Sequence, residues 1–251
     1  RLVIPPLPAG MFTNAIRKVV KANADYVPSF ESGGSLYIRP LIFGTDPVLG
    51  VKPATEFEFR IFVSPVGNYF AGGVRPLNIR ISDYDRAAPV GTGHVKAGLN
   101  YAMSLYPIVE AHEQGYDENL YLDPRTRTYI EETGGANIIF ISKDGALVTP
   151  RSDSILPSIT RRSIVEICRD RLGMQVEERK IKLEELADMT ECALCGTAAV
   201  VSPVGSITAS DRTYTFNSVG EGSVINRISE VMSDVRSGKM DSPDGWLMKM
   251  I

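Results

Sequence analysis

The sequence predicts an α+β protein of two mixed α/β domains, a smaller N-terminal one and a larger C-terminal one. Three observations carry that prediction. The chain has 251 residues, 43% apolar and 23% charged, with no long run of one sign, which suits one large or two modest globular domains and excludes disorder, collagen and coiled coil. Segments with apolar residues at helical spacing are interspersed with short runs rich in Tyr, Phe, Ile and Val. The Gly-Gly-Val-Arg-Pro stretch at 72–76 is the strongest linker signal in the first half. We therefore expect a small domain at 1–71, a linker at 72–77 and a large domain at 78–251.

Each element has its own warrant. Between residues 8 and 24, Met11, Ile16, Val19 and Val20 recur at helical spacing and the run stops before Pro28, which predicts a helix. Residues 35–44 and 56–66 are aromatic and β-branched, bounded by Gly and Pro, and read as strands. Residues 77–83 read as another strand, 87–100 as a glycine-interrupted loop, and 101–114 as a helix that Pro107 kinks or ends. A hairpin is expected over 119–132 with its turn at 124–126 and polar residues alternating along it. A second is expected over 136–150, where Lys143, Asp144 and Gly145 are turn chemistry. Ser158 can cap a following helix whose buried stripe is Ile164, Val165, Ile167, Cys168 and Leu172, and Gly173 stops it. A strand after Cys195, a late helix near 221–236 and a short last strand around Trp246 complete the series.

Composition also excludes. No apolar stretch reaches the roughly 18 residues of a membrane helix. Lys plus Arg number 27 against 30 Asp plus Glu, a net charge of −3 and a pI near 5.6, the wrong sign for gripping a phosphate backbone, so no nucleic-acid partner is expected. Three cysteines make no disulfide framework and no signal peptide precedes them, so a cytoplasmic, reducing location is expected. Two histidines, His94 and His112, cannot form a three-histidine cage, and no metal site is expected. Cys192 and Cys195 read as packing thiols. The abrupt opening at Arg1 suggests further sequence upstream.

The most unusual local feature is GTGHVKAGLNYA at 91–102, where glycines bracket Lys96. A partly desolvated lysine has a lowered pKa and can form an imine with a carbonyl, although a solvated loop lysine is the commoner case. The GxxxxGK[ST] phosphate pattern fails because Ala97 follows the lysine. A phosphorylated imine cofactor would further need an anion cradle, a charge at its ring nitrogen and a receptor for the substrate carboxylate. The amides of Ile159 and Thr160 at a helix start could be the cradle, though most capped helices bind nothing. Of Glu131 and Glu132, one must face inward if the strand alternation holds; Glu131 is read as exposed and Glu132 as the inward acid. Small residues from Cys195 let backbone approach a ligand, with Thr197 offering a hydroxyl. Tyr37 and Arg39 share a strand face, and Arg39 could hold a carboxylate or simply a surface salt bridge.

YIRP (37–40), SPVGNYF (64–70), DRAAPVGTGHVKAGLNYA (85–102), YIEETGGANIIF (129–140), LVTPRSDSILPSITRRS (147–163) and GTAAVVSPV (196–204) occur in a telling order. In order and approximate spacing they resemble the branched-chain aminotransferases, pyridoxal-phosphate enzymes of fold type IV, in their longer, eukaryotic-like branch. The resemblance implies a C-terminal pseudo-barrel, pyridoxal 5′-phosphate as cofactor, and exchange of the amino group of leucine, isoleucine or valine with 2-oxoglutarate. It also implies a homodimer. Lys96 matches the lysine that forms the internal aldimine and moves the substrate Cα proton. Glu132 matches the partner of the pyridine nitrogen, Tyr101 that of the phenolic oxygen, and Leu156 the residue on the ring face. Ile159, Thr160 and Thr197 match phosphate ligands, with Arg86 an accessory. The amides of Thr197 and Ala198 match the α-carboxylate site, and Tyr37, Arg39 and Tyr69 surround the substrate.

Some positions depart from the family pattern. The family's main phosphate arginine would lie upstream of Arg1. Gly135 stands where threonine is frequent, and Ser158 where glycine is. Ala199 and Ser202 replace the redox cysteines of some animal members. The rivals are a D-amino-acid transaminase or aminodeoxychorismate lyase of the same fold, and a truncated non-catalytic homologue.

Overall fold

A computed structural model describes residues 1–67, 75–198, 200–210 and 212–250. It contains two compact units, Arg1–Ala71 with Pro243–Ile251, and Gly72–Ser242. The expected linker at 72–77 falls partly outside the described residues, and Leu77 already begins a strand.

In the first unit, helix α1 (Met11–Ala22) starts after Gly10, whose φ of +75° suits glycine, and buries Val20. Strands β1 (Ser35–Gly44) and β2 (Phe57–Val66) pair antiparallel without a register break, from Ser35 opposite Val66 to Gly44 opposite Phe57. Phe12 of α1 meets Phe59 of β2 at 6.2 Å between ring centroids. Asp46 binds the loop joining the strands, accepting from the amides of Thr55 and Glu56. The hydroxyl of Thr55 and these amides hold its carboxyl down at about 2.

Two expectations about the chain end are corrected. The tail from Pro243 groups with the first unit, not with the large domain, and Arg17 Nη2 lies 3.7 Å from Met248 Sδ. No strand forms around Trp246. Proline removes a ladder donor, Gly245 turns the chain at a φ of +80°, and the Trp246 amide closes that turn on the Pro243 carbonyl at 3.2 Å.

The second unit is a mixed nine-stranded sheet. Its strands are β3 (Leu77–Ile81), β4 (Glu118–Leu122), β5 (Ile130–Thr133), β6 (Asn137–Ser142), β7 (Leu147–Pro150), β8 (Val176–Arg179), β9 (Met189–Gly196), β10 (Val200–Thr208) and β11 (Thr213–Thr215). They run in the order β5-β4-β3-β10-β9-β6-β7-β8, with β11 beside β10. The sheet curls until its ends meet: the Ile130 amide donates to the Ile181 carbonyl at 2.8 Å, and Tyr129 bridges Lys182 antiparallel. Curling encloses one face and helices and loops pack on the other, so β5, β7 and most of β4 and β6 are buried residue after residue. The alternation expected over 119–132 is therefore absent, although the hairpin itself forms. Ile79, Leu120, Phe140, Leu194, Val204 and Ile207 are among the core residues.

Helix α2 (Gly98–Glu113) continues through Pro107, giving up one backbone hydrogen bond there. Helix α3 (Ile159–Asp170) is capped by Ser158, whose side chain accepts from the Arg161 amide at 3.2 Å, and Gly173 follows it at a φ of +63°. It buries Ile164, Val165, Ile167 and Cys168, while Leu172 beyond its end is half-buried. Helix α4 (Val224–Ser237) starts at Ser223 and receives the buried Glu191 carboxyl on the amides of Val224 and Ile225, both at 2.9 Å. No helix among the described residues is long and apolar enough to cross a membrane.

Candidate active site

The loop carrying Lys96 is folded back on α2. Asn100 in the first turn of α2 donates to the carbonyls of Thr92 at 2.8 Å and Val95 at 2.9 Å, and Thr92 returns a hydroxyl bond to its side chain at 3.1 Å. One residue on, the Tyr101 hydroxyl accepts from Lys96 Nζ at 2.6 Å. The amine is thus aimed by its neighbour. It is exposed rather than desolvated, contrary to what its glycine-rich surroundings suggest. Glycine at 93 is required for a different reason: a Cβ there would lie 2.0 Å from the Ser154 carbonyl oxygen.

That carbonyl belongs to the segment joining β7 to α3, which meets two acids of β5. Glu132 is 3% exposed. Its carboxylate accepts from the Leu156 amide at 2.8 Å and from Asn137 Nδ2, and pairs with Arg86 Nη2 at 3.0 Å. Burial pushes its carboxyl from an ordinary 4.5 up to about 7, against the opposing pull of Arg86, the Leu156 amide and Asn137. Arg86 is itself 6% exposed and donates to the carbonyls of Gly93 and Ser154. Its guanidinium thus sits on the carboxylate, where the resemblance implied an accessory phosphate ligand.

Glu131, expected to be exposed, is also 3% exposed. Every residue of β5 is buried, so alternation exchanges one interior for another. Its carboxyl accepts the hydroxyls of Ser152 and Ser154, each at 2.6 Å.

At the start of α3 the Ser158 cap engages Arg161, leaving the amides of Ile159 and Thr160 without carbonyl partners inside the helix. Thr197 and Ala198 form an exposed turn between β9 and β10. Asn137, the partner of Glu132, lies opposite Cys195 across the β6–β9 ladder, two residues before that turn. Val200 closes it at a φ of +49°, a conformation that costs a β-branched residue energy.

The structure thus joins Arg86, Glu132 and Leu156 directly, and Lys96 and Tyr101 directly. Tyr37 and Arg39 belong to the first unit, where the Arg39 guanidinium lies 5.1 Å from the Tyr37 ring centroid. Tyr69 and Ala199 lie outside the described residues. Sequence reasoning missed Asn100, Asn137, Ser152 and Ser154. Only Asn137 left a signal, an amide at the first position of the strand that follows that of Glu132 after a short turn.

The sequence profile of the amino-transferase class IV family matches residues 1–207. The chain belongs to the class IV aminotransferases. It is 45% identical over 256 aligned residues to the branched-chain-amino-acid aminotransferase of Haemophilus influenzae, covering all of this chain and 75% of that protein. Against the Helicobacter pylori protein of the same name the identity is 41%, over all of this chain and 74% of that one. Among solved structures, the branched-chain amino acid aminotransferase of Escherichia coli superposes with a TM-score of 0.79 at 30% identity, covering 98% of this chain and 77% of that one. The Thermobaculum terrenum enzyme in its PLP form gives 0.78 at 28% identity, over 94% and 73%. The fold of this class IV aminotransferase is accordingly fold type IV. Its cysteines at 168, 192 and 195 are free and buried, and burial pushes the Cys195 thiol up to about 12. Among its described residues no group of three or more His, Cys, Asp or Glu is placed to hold a metal.

Proposed function

We propose that this chain is a pyridoxal-phosphate transaminase that exchanges the amino group of leucine, isoleucine or valine with 2-oxoglutarate, working as a homodimer in a reducing cytoplasm. The observation that carries this is a buried carboxylate, Glu132, held by Arg86, while the same Ser154 carbonyl seats the loop of the aimed amine Lys96. The residues fit the cofactor. Arg86 Nε and Asn137 Oδ1 are buried beside Glu132 with no partner among the described residues, and two free helix amides stand three and four residues beyond Leu156. Bound there, pyridoxal 5′-phosphate supplies an aldehyde that tethers an amine and a ring that withdraws electrons from the substrate Cα.

The chain's own groups do the rest. Arg86 opposes the burial that raises the Glu132 carboxyl to about 7, and in its ionised form that carboxylate can hold the proton of a ring nitrogen. Lys96 Nζ, steered by Tyr101, takes the Cα proton and returns it. Leu156 would pack against the cofactor, and the amides of Ile159 and Thr160 with the Thr197 hydroxyl would hold its phosphate. The Thr197 and Ala198 amides receive the α-carboxylate, and Tyr37, Arg39 and Tyr69 take the substrate side chain, as the family pattern assigns them. Leu105, Tyr106 and Val109 are exposed apolar residues on α2 and support a partner subunit. Three free, buried cysteines suit a reducing compartment.

Borohydride reduction of the protein with pyridoxal 5′-phosphate, followed by peptide mapping, is expected to label Lys96; a label elsewhere or none refutes the assignment. Single-turnover bleaching of the visible band by L-leucine but not D-alanine separates this reading from the D-selective rival. A protein that stays colourless with added cofactor is the non-catalytic homologue.

A further inference from the structure

Glu131 is a buried acid with no place in the mechanism above. Among the described residues no salt bridge reaches it; its hydrogen bonds come from Ser152 and Ser154, both in the 152–156 segment. Ser152 Oγ also receives the Ser154 amide at 3.1 Å, which ties the segment into a turn. The turn is where the working groups converge. The Ser154 carbonyl accepts from Arg86 and lies against Gly93, three residues before Lys96, and the Leu156 amide donates to Glu132. Glu131 holds this turn by its side chains, leaving the backbone free to hold Arg86 and Glu132.

We propose that Glu131 is a positioning residue: by gripping the hydroxyls of Ser152 and Ser154 it fixes the 152–156 turn, and through that turn the placement of the Arg86–Glu132 pair that faces the cofactor's ring nitrogen. This rests on the cofactor reading above. Both hydroxyls reach Oε1 and that of Ser154 reaches Oε2 as well, so Glu131→Gln, which replaces one accepting oxygen with a donor and removes the negative charge, weakens this grip while keeping the volume.

The test compares wild-type holoenzyme with Glu131→Gln, with Ser152→Ala/Ser154→Ala, and with Ser152→Thr/Ser154→Thr, which keeps both hydroxyls. Three quantities are read: the apparent pKa of the visible band, the pyridoxal 5′-phosphate dissociation constant by equilibrium dialysis, and the thermal midpoint. Glu131→Gln and the alanine pair are expected to move the band's apparent pKa by about one unit and to weaken cofactor retention about tenfold. The threonine pair is expected to stay close to wild type. An unmoved band and dissociation constant in the first two, with only the thermal midpoint lowered, overturns the proposal and leaves Glu131 as packing. If Glu131→Gln does not fold, the alanine pair carries the same comparison. A wild type with no visible band overturns the cofactor reading and this inference with it, whereas a normal wild-type band beside unmoved variants overturns this inference alone.

Discussion

At Glu132 one side chain sets a pH dependence with a definite sign. Its carboxyl titrates near 7 in the folded protein against an ordinary 4.5, so between those values the native state binds more protons than the unfolded one. Its contribution is fully present below about pH 4.5 and is lost as pH rises through about 7. The cofactor-free wild type is therefore expected to lose on the order of 1–3 kcal/mol across that window relative to Glu132→Gln. Parallel denaturation midpoints for the two proteins from pH 4.5 to 7.5 would refute it. This residue was legible because two adjacent acids in an apolar strand invite the question of which faces in. Its neighbour was misread because alternation implies an outside, and β5 has none. Gly93 was legible only as part of a glycine cluster; the carbonyl that forbids a side chain there is 61 residues away in sequence.

Elements with local signals were readable; those defined by their neighbours were not. Helix α3 announces itself through Ser158, a buried stripe and Gly173, and β1 runs over 35–44 as its aromatic and β-branched content suggests. Strand β9 escaped notice because MTECALCG has little β-branched content and lies in the sheet interior between β6 and β10. Beyond the active-site turn, β8 and β11 are short and polar and take their form from the strands they pair with. The α3 cap makes a testable element. Ser158→Ala leaves the Arg161 amide unpaired and is expected to cost about 1 kcal/mol in chemical denaturation. Because Ile159 and Thr160 present their amides from that first turn, cofactor retention is expected to fall as well, and wild-type values for both would show the cap to be idle.

Across the whole molecule, the feature a sequence cannot display is surface left over after folding. α2 exposes Leu105, Tyr106 and Val109, each more than half accessible, and Tyr106 meets Tyr84 edge-on at 5.7 Å. If this face lies between subunits, Leu105→Glu/Val109→Glu is expected to yield monomers by light scattering with an unchanged far-UV spectrum. A dimer surviving both charges would place the interface elsewhere.

The closure of the nine-stranded sheet has a consequence for how this enzyme opens. In a flat array β5 would be a terminal ribbon, the sort that unzips first and recruits stray chains. Its contact with the Ile181 backbone gives it company on both flanks, so the pair of acids rides on one of the slowest-breathing parts of the molecule. Deuterium should therefore reach the amides of 130–133 on the timescale of the middle strands, long after it has replaced those of the exposed Thr197 turn.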